Sequence, residues 1–455
     1  MRMLFGTDGI RGVAGDPPLD HNTVYAIGVA LGRYLGEAHS SPQVVIGQDT
    51  RESSCWIADS LSQGLASRGA RVQKTGVITT PAIAYLARQA FSAGVVVSAS
   101  HNPWTDNGIK VFSHAGYKLP DELEERIESY IFEITKSGSA RVPPPQDVPR
   151  DAEIPHPELL QQYVGWLGRS VRQNLQGLKI LVDCANGAAT PVAHEVFRKC
   201  GVEAVFIHDQ PNGRNINENC GALHPEVVAA ELARRKSEGF ALGVTFDGDA
   251  DRALFSDAEG RVVNGDAVLL LAGRDLKALN KLKVDMVVAT TMSNMGLEIA
   301  LRNSGIRMLR ANVGDKYVLE EMQKSGAILG GEQSGHILFM DGDATTGDGL
   351  LTALRVMEVV VRSGRSLTDL VVDLRVFPQA IQNVRVREKK PFDQVPEVAA
   401  SIQRATEELN GNGRVVVRYS GTEALARVMV EAECEVTMQR IADSICVAIQ
   451  KTLGA

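Results

Sequence analysis

The sequence predicts an α/β protein: three similar mixed α/β units in series and a C-terminal α+β domain, arranged around one central cleft. Three observations carry that expectation. Short β-branched runs alternate with longer amphipathic segments, the pattern of strand-helix units around mostly parallel sheets. The third strand of each unit runs into a loop crowded with polar side chains, "SASHNP", "DGDADR" and "GEQSGH" in turn. After about residue 370 the grammar changes to strands flanked by two helical segments.

In the first unit "QVVIG" (43–47), "ARVQKTG" and "AGVVVSA" read as strands, with helices over 53–68 and 80–90 between them. A helix over 120–135 packs back on this unit before the proline-rich stretch 142–149, "VPPPQDVP". The second unit runs "LKILVD" (178–183), a helix over 190–200, "EAVFIHD", a helix over 224–236 and "FALGVTFD" (240–247). The third runs "MVVATT" (286–291), a helix over 295–304, "RMLRANV", a helix over 315–325 and "AILGG" (327–331). A helix over 393–409, the strands "GRVVVRYSGT" and "ARVMVEAE" and a helix over 436–452 complete the chain. The expected domains are therefore 1–150, 151–256, 257–370 and 371–455.

Composition bounds the partners. At 455 residues the chain exceeds what one core sustains, so several domains are required. A balance of 55 acidic against 48 basic residues, net −7, argues against nucleic-acid or membrane-surface binding. It leaves room for a small anion held by local arginines. "MRMLFGTDGIRG" has no apolar leader and no segment is long enough to span a bilayer, so a cytoplasmic protein is expected. Its six cysteines are scattered without a CxxC pair, which reads as reduced thiols.

The loops carry the chemistry. "VVVSASHNP" ends a buried strand with Ser100 beside His101, either an ordinary polar turn or a nucleophile at a strand's carboxyl end. In "DGDADR", Asp247, Asp249 and Asp251 converge if the strand ends there and the chain curls. Oxygen-only donors suit Mg²⁺ or Ca²⁺. An EF-hand needs glycine and glutamate where this chain has Arg252 and Ala258, so that reading fails. A solvated acidic turn is the plainer alternative, opposed by repulsion among three close carboxylates. Arg252 beside them points to an anion nearby. "RYSGTEALAR" (418–427) offers Arg418, Ser420, Gly421 and Thr422 as a phosphate cradle, and read alone it fits a polar β-turn equally well. "GEQSGH" groups Glu332, Gln333, Ser334 and His336 as partners for sugar hydroxyls, with His336 equally a structural histidine. "GTDGIRG" places Arg11 in a glycine-rich loop, and "DNGIK" puts Lys110 ten residues after Ser100, in the same loop. A cation between three aspartates, a serine and several basic groups is equipment for phosphoryl transfer.

In this order, "SASHNP", "DGDADR", "GEQSGH" and "RYSGTEA" resemble the four motifs of the α-D-phosphohexomutase superfamily, and the resemblance covers essentially the whole chain. "FGTDGIRG", "DCANGA", "PNGRNINENCGA", "MSNMGLE", "VGDKYVLE", "TTGDG" and "RVMVE" are similar to the branch that works on glucosamine phosphates. The resemblance implies that Ser100 carries a phosphoryl group and binds one Mg²⁺ together with Asp247, Asp249 and Asp251. It implies Lys110 and Arg11 as general acid and base, His101 as support for the serine loop, and Arg252 as a contact to the phosphoserine. Glu332 and Ser334 would grip sugar hydroxyls, while Arg418, Ser420, Gly421 and Thr422 would hold the phosphate not being transferred. The implied reaction interconverts glucosamine 6-phosphate and glucosamine 1-phosphate through glucosamine 1,6-bisphosphate, on the route to UDP-N-acetylglucosamine and peptidoglycan. The implied enzyme is a monomer or homodimer whose C-terminal domain closes the cleft. Ala250 stands where the family usually has glycine, Ala424 where proline is common, and Trp104-Thr105 where another aromatic pattern is frequent; none removes a functional group. Gln333 favours the amino sugar. The competing readings are a glucose or mannose phosphomutase with the same mechanism, a Mg²⁺-dependent sugar phosphatase, and a silent sugar-phosphate binder.

Overall fold

Val44, Val45 and Ile46, and Val95, Val96 and Val97, are all fully buried, as central strands covered on both faces require. Around them the computed structural model, which describes residues 4–6, 8–137, 156–420 and 424–455, builds a six-stranded sheet. Its strands are β1 (Phe5–Gly6), β2 (Gly9–Val13), β3 (Gln43–Gln48), β4 (Arg71–Val77), β5 (Ala93–Val97) and β6 (Asp106–Ser113). They lie in the order β1-β2-β6-β5-β3-β4. Helices α1 (His21–Gly36), α2 (Ser54–Ala66), α3 (Thr80–Ala90) and α4 (Asp121–Ser137) accompany them. Asp20 starts α1 by accepting from the backbone N–H groups of Asn22 and Thr23, and the Thr79 hydroxyl does the same for α3 at Ala82.

The chain continues through α5 (Pro157–Ser170), β7 (Lys179–Asp183), α6 (Ala189–Lys199), β8 (Glu203–Ile207), α7 (Pro225–Arg234), β9 (Leu242–Phe246), β10 (Ala253–Asp257) and β11 (Val262–Val263). These five strands form a second sheet in the order β11-β10-β9-β7-β8. A third sheet, ordered β13-β12-β14-β15, follows from α8 (Gly265–Ala278), β12 (Met286–Thr290), α9 (Met295–Asn303), β13 (Arg307–Ala311), α10 (Asp315–Ser325), β14 (Leu329–Gly331), β15 (Ile337–Phe339) and α11 (Gly349–Ser363). After α12 (Leu367–Leu370) come β16 (Gln379–Arg385), α13 (Pro396–Leu409), β17 (Gly413–Tyr419), β18 (Leu425–Ala432) and α14 (Glu435–Leu453), with an antiparallel sheet ordered β16-β18-β17.

Two compact units result: Met1–Thr291 with Leu309–Val371, and Met292–Met308 with Val372–Ala455. The second unit has its own core, including Val398, Val428, Val430, Ile441 and Ile445, and draws in the segment carrying α9. There the Asn294 amide donates to the Phe377 carbonyl and accepts from the Phe377 N–H, both at 2.9 Å.

The sheets differ from the mostly parallel ones expected. β3 pairs parallel with β4 and β5, and β7 with β8 and β9, but β5–β6, β9–β10 and β14–β15 are antiparallel. In each unit the strand that ends in a polar loop is met by one returning from it. Lys110 is consequently not in the Ser100 loop: it sits in β6, opposite Val96. The Ser98 N–H bonds to the Gly108 carbonyl at 2.9 Å, which closes the loop before the chain reaches Lys110. Helices α1, α5, α8, α11 and α12 are additional to the elements predicted. The proline-rich stretch 142–149 lies outside the described residues. All six cysteines are free thiols, and no helix among the described residues is long and apolar enough to cross a membrane.

Candidate active site

Three loops of the first unit meet where β5, β9 and β14 end, the place where open α/β sheets bind ligands. Ser100 follows β5, fully buried and left-handed at φ +53°. Its hydroxyl donates to Asp247 Oδ2 at 2.7 Å, and His101 Nδ1 lies 3.4 Å from Ser100 Oγ. Asp247, Asp249 and Asp251 bring carboxylate oxygens within 4.8 Å of one another, all buried. The curl that gathers them needs Ala250 at φ +55°.

The residues present fit a cation. Burial first, then Asp251 and Asp249, pushes the Asp247 carboxyl well above its ordinary range, as expected where like charges share a buried site. Asp249 Oδ1 is buried with no hydrogen-bond partner. Three oxygen donors of this kind suit a hard divalent ion.

A ring of charge surrounds the triad. Lys110 Nζ lies 2.8 Å from Asp249, 3.4 Å from Asp251 and 3.0 Å from Asp8. Burial alone would lower its pKa, but these three carboxylates outweigh it and hold the ammonium charged. Arg11, on β2, pairs with Asp8 and reaches Ala99 O and Asn102 Oδ1, each at 3.4 Å. Burial would raise Asp8, yet Lys110, Lys118 and Arg11 hold it well below the carboxylate range. Lys118 bridges Asp8 at 2.5 Å and Asp315 at 2.7 Å. His336 faces Asp251 and Asp315 at 3.5 Å each; those carboxylates override the effect of burial and lift its pKa to about 9. His101 is lowered by burial and by Arg252 and Arg11, so its imidazole is neutral. The Arg252 N–H donates to Asp247 Oδ1 at 3.2 Å.

Asp8, Arg11, His101, Arg252, Glu332 and His336 line a cleft of about 400 Å³. Glu332 Oε1 accepts from the Gly314 N–H at 3.0 Å, and the exposed Ser334 hydroxyl lies 3.3 Å from Glu332 Oε2. Gln333 turns elsewhere: its amide donates to Asp266 at 3.4 Å, so it offers the sugar less than its sequence position suggested. Arg418 and Ser420 belong to the second unit, Arg418 exposed at the end of β17 and Ser420 buried with its carbonyl accepting from Lys389 Nζ at 2.7 Å. Gly421 and Thr422 lie outside the described residues. Asp8, Thr80, Lys118 and Asp315 were not singled out from the sequence. The Thr80 hydroxyl bonds Asp249 Oδ2 at 2.5 Å, fixing the carboxylate that Lys110 also holds.

Comparison with known proteins gives the family. Residues 2–138, 161–260, 264–376 and 382–448 match, in order, the phosphoglucomutase/phosphomannomutase alpha/beta/alpha domains I, II and III and the C-terminal domain of that family. A phosphoglucosamine mutase from Koribacter versatilis is 59% identical over 459 residues, covering 100% of this chain and 98% of the relative. A phosphoglucomutase/phosphomannomutase family protein from Burkholderia thailandensis has the same fold at 23% identity, with a TM-score of 0.78 over 99% of this chain and 98% of its own. So does an N-acetylphosphoglucosamine mutase from Aspergillus fumigatus, solved with GlcNAc-6P and magnesium: 19% identity, TM-score 0.65, covering 99% and 96%. Four domains matched in sequence order and a full-length relative at 59% identity place the chain in the phosphoglucomutase/phosphomannomutase family, in its phosphoglucosamine mutase branch.

Proposed function

We infer that the chain interconverts glucosamine 6-phosphate and glucosamine 1-phosphate, with Ser100 as phosphoryl carrier and Mg²⁺ as the metal. The observation that carries this reading is the Ser100 hydroxyl 2.7 Å from Asp247 in a buried aspartate triad. Bound by Asp247, Asp249, Asp251 and Ser100, Mg²⁺ would neutralise charge on the group in transfer.

This chain's own residues do the rest. As the P–Oγ bond of Ser100 breaks and a P–O bond forms to the sugar, the sugar hydroxyl loses a proton and Ser100 Oγ gains one; the return step reverses both. His101 Nδ1, neutral and 3.4 Å from Oγ, is the group that takes and returns the serine proton. Lys110, an ammonium in the unphosphorylated chain, protonates the sugar oxygen as the phosphoryl group returns to Ser100. The amine left behind takes the proton of the next attacking sugar hydroxyl, and Arg11 orients Asp8 and the serine loop. Arg252 faces the phosphoserine. Glu332 and Ser334 hold sugar hydroxyls, and Arg418, Ser420, Gly421 and Thr422 hold the distal phosphate. Gripping the sugar away from its reacting end lets glucosamine 1,6-bisphosphate turn over within one site. The four domains divide near residues 150, 256 and 370, and the enzyme works in the cytoplasm with its thiols reduced.

The test compares kcat/KM for glucosamine 6-phosphate, glucose 6-phosphate and mannose 6-phosphate with Mg²⁺ and a trace of each 1,6-bisphosphate. A preference of about tenfold or more for the amino sugar is expected. Ser100→Ala should lose activity by on the order of 10³-fold or more, and EDTA should abolish turnover until Mg²⁺ is restored. Full activity in Ser100→Ala would refute the phosphoserine mechanism. Equal turnover of the neutral sugars would move the substrate assignment to another branch.

A further inference from the structure

Ser100 sits in the left-handed region at φ +53°, a backbone conformation that disfavours a serine. Two side chains with no part in the chemistry above converge on its peptide. Arg51 Nη2 donates to the Ser100 carbonyl at 3.1 Å and to the Asn102 carbonyl at 2.6 Å. Asn217 Nδ2 donates to the same two carbonyls at 2.9 and 3.1 Å. Each nitrogen has two N–H groups and each carbonyl two lone pairs, so four donors meet four acceptors. Only the nitrogen of the Asn217 amide could serve both oxygens, which fixes its orientation.

We propose that Arg51 and Asn217 are positioning residues that hold the Ser100 loop in the conformation aiming Oγ at the aspartate triad. The proposal rests on the reading of Ser100 as phosphoryl carrier. Neither clamp is free to move. Arg51 is fully buried and paired with Asp49, which also accepts from the Ser54 hydroxyl at 2.7 Å and from the Arg51 N–H at 3.0 Å. Asn217, at φ +59°, is fastened by its N–H to the Ala185 carbonyl at 2.9 Å. Its loop is tied again where the Gly221 N–H reaches Asp183 Oδ2 at 3.0 Å. Asp183, His208 and Cys220 bring possible metal-ligand atoms together. Both Asp183 oxygens, however, already accept backbone N–H groups, from Ala185 and Gly221, so the cluster anchors the loop. Arg51 lies in the span matched by domain I and Asn217 in that matched by domain II, so the serine is gripped from both.

Asn217→Gly removes the amide while tolerating the left-handed backbone, and Asn217→Asp keeps the shape but loses the donors. In the full-length enzyme with Mg²⁺, both should lower kcat for glucosamine 6-phosphate by about 10- to 100-fold, with KM within about threefold. Phosphorylation of Ser100 by glucosamine 1,6-bisphosphate, followed by intact mass, should slow by the same factor. Arg51→Lys, whose single ammonium cannot span both carbonyls as Nη2 does, should act alike. Unchanged kcat in both Asn217 variants, with Ser100→Ala inactive, overturns the positioning proposal alone. So does a fall in kcat that only tracks lost folded protein by circular dichroism. Activity in Ser100→Ala overturns the carrier reading and this proposal together.

Discussion

Gly248 shows how little room the Ser100 loop has. A Cβ there would lie 2.4 Å from the Ser100 carbonyl and 2.9 Å from Asn217 Nδ2, so an alanine must displace the loop it touches. Gly248→Ala is expected to lower kcat on the order of 100-fold while KM moves within about threefold. Steady-state kinetics beside a melting curve would check it; a kcat near wild type would show that the serine tolerates displacement. Two positions along, Ala250 occupies a left-handed conformation that glycine would enter freely, a strain of about 1 kcal/mol. The turn is kept by hydrogen bonds from the Ala250 N–H to the Asp247 carbonyl and from the Gly349 N–H to the Ala250 carbonyl. This departure from the family pattern leaves the triad assembled.

At the scale of an element, α11 starts on a charge that the fold disfavours. Asp348 accepts from the Leu351 N–H at 2.9 Å and from the Tyr163 hydroxyl at 2.7 Å, yet burial lifts its pKa to about 6. Its unfolded value is 3.8, so the folded state binds the extra proton between those values. The stability it contributes is fully present below the lower value and is lost as pH rises through about 6. Asp348→Asn keeps the cap and removes the ionisation. The variant should lose less stability than the parent between about pH 4 and 7, by up to about 3 kcal/mol. Denaturant titrations across that range would check this, and parallel curves would refute it.

At the scale of the whole molecule, the second unit is discontinuous. The strands and helices after Val372 enclose their own core, but Met292–Met308 packs with them. Asn294 bonds Phe377 in both directions, and Arg414 Nη2 donates to the Ser293 carbonyl at 3.1 Å. A fragment of residues 372–455 is expected to fold cooperatively but to be less stable than the same region in the full chain, by about 2 kcal/mol for the lost hydrogen bonds. Urea titration of fragment and full chain followed by NMR amide signals would measure the difference. An unfolded fragment, or one as stable as the intact region, would contradict it.

The sequence by itself determined the parallel strands and the acidic triad. Strands buried on both faces must read as β-branched runs, as at Val44–Ile46 and Val95–Val97, and carboxylates gathered within five residues by one turn are visible as a motif. Only the tertiary structure decided the return strands, because a segment as short as Ile337–Phe339 has no period to read. It also decided the charged ring. Asp8, Thr80, Lys118 and Asp315 are single polar residues in separate segments, and they meet because the topology ends three strands at one cleft. Arg51 and Asn217 lay in quoted or neighbouring motifs without a role, since a side chain that serves another residue's backbone leaves no local signature. The physical reason is range: burial and turn chemistry act on neighbours in sequence, whereas hydrogen bonds and Coulomb pairs act between whatever the fold brings together.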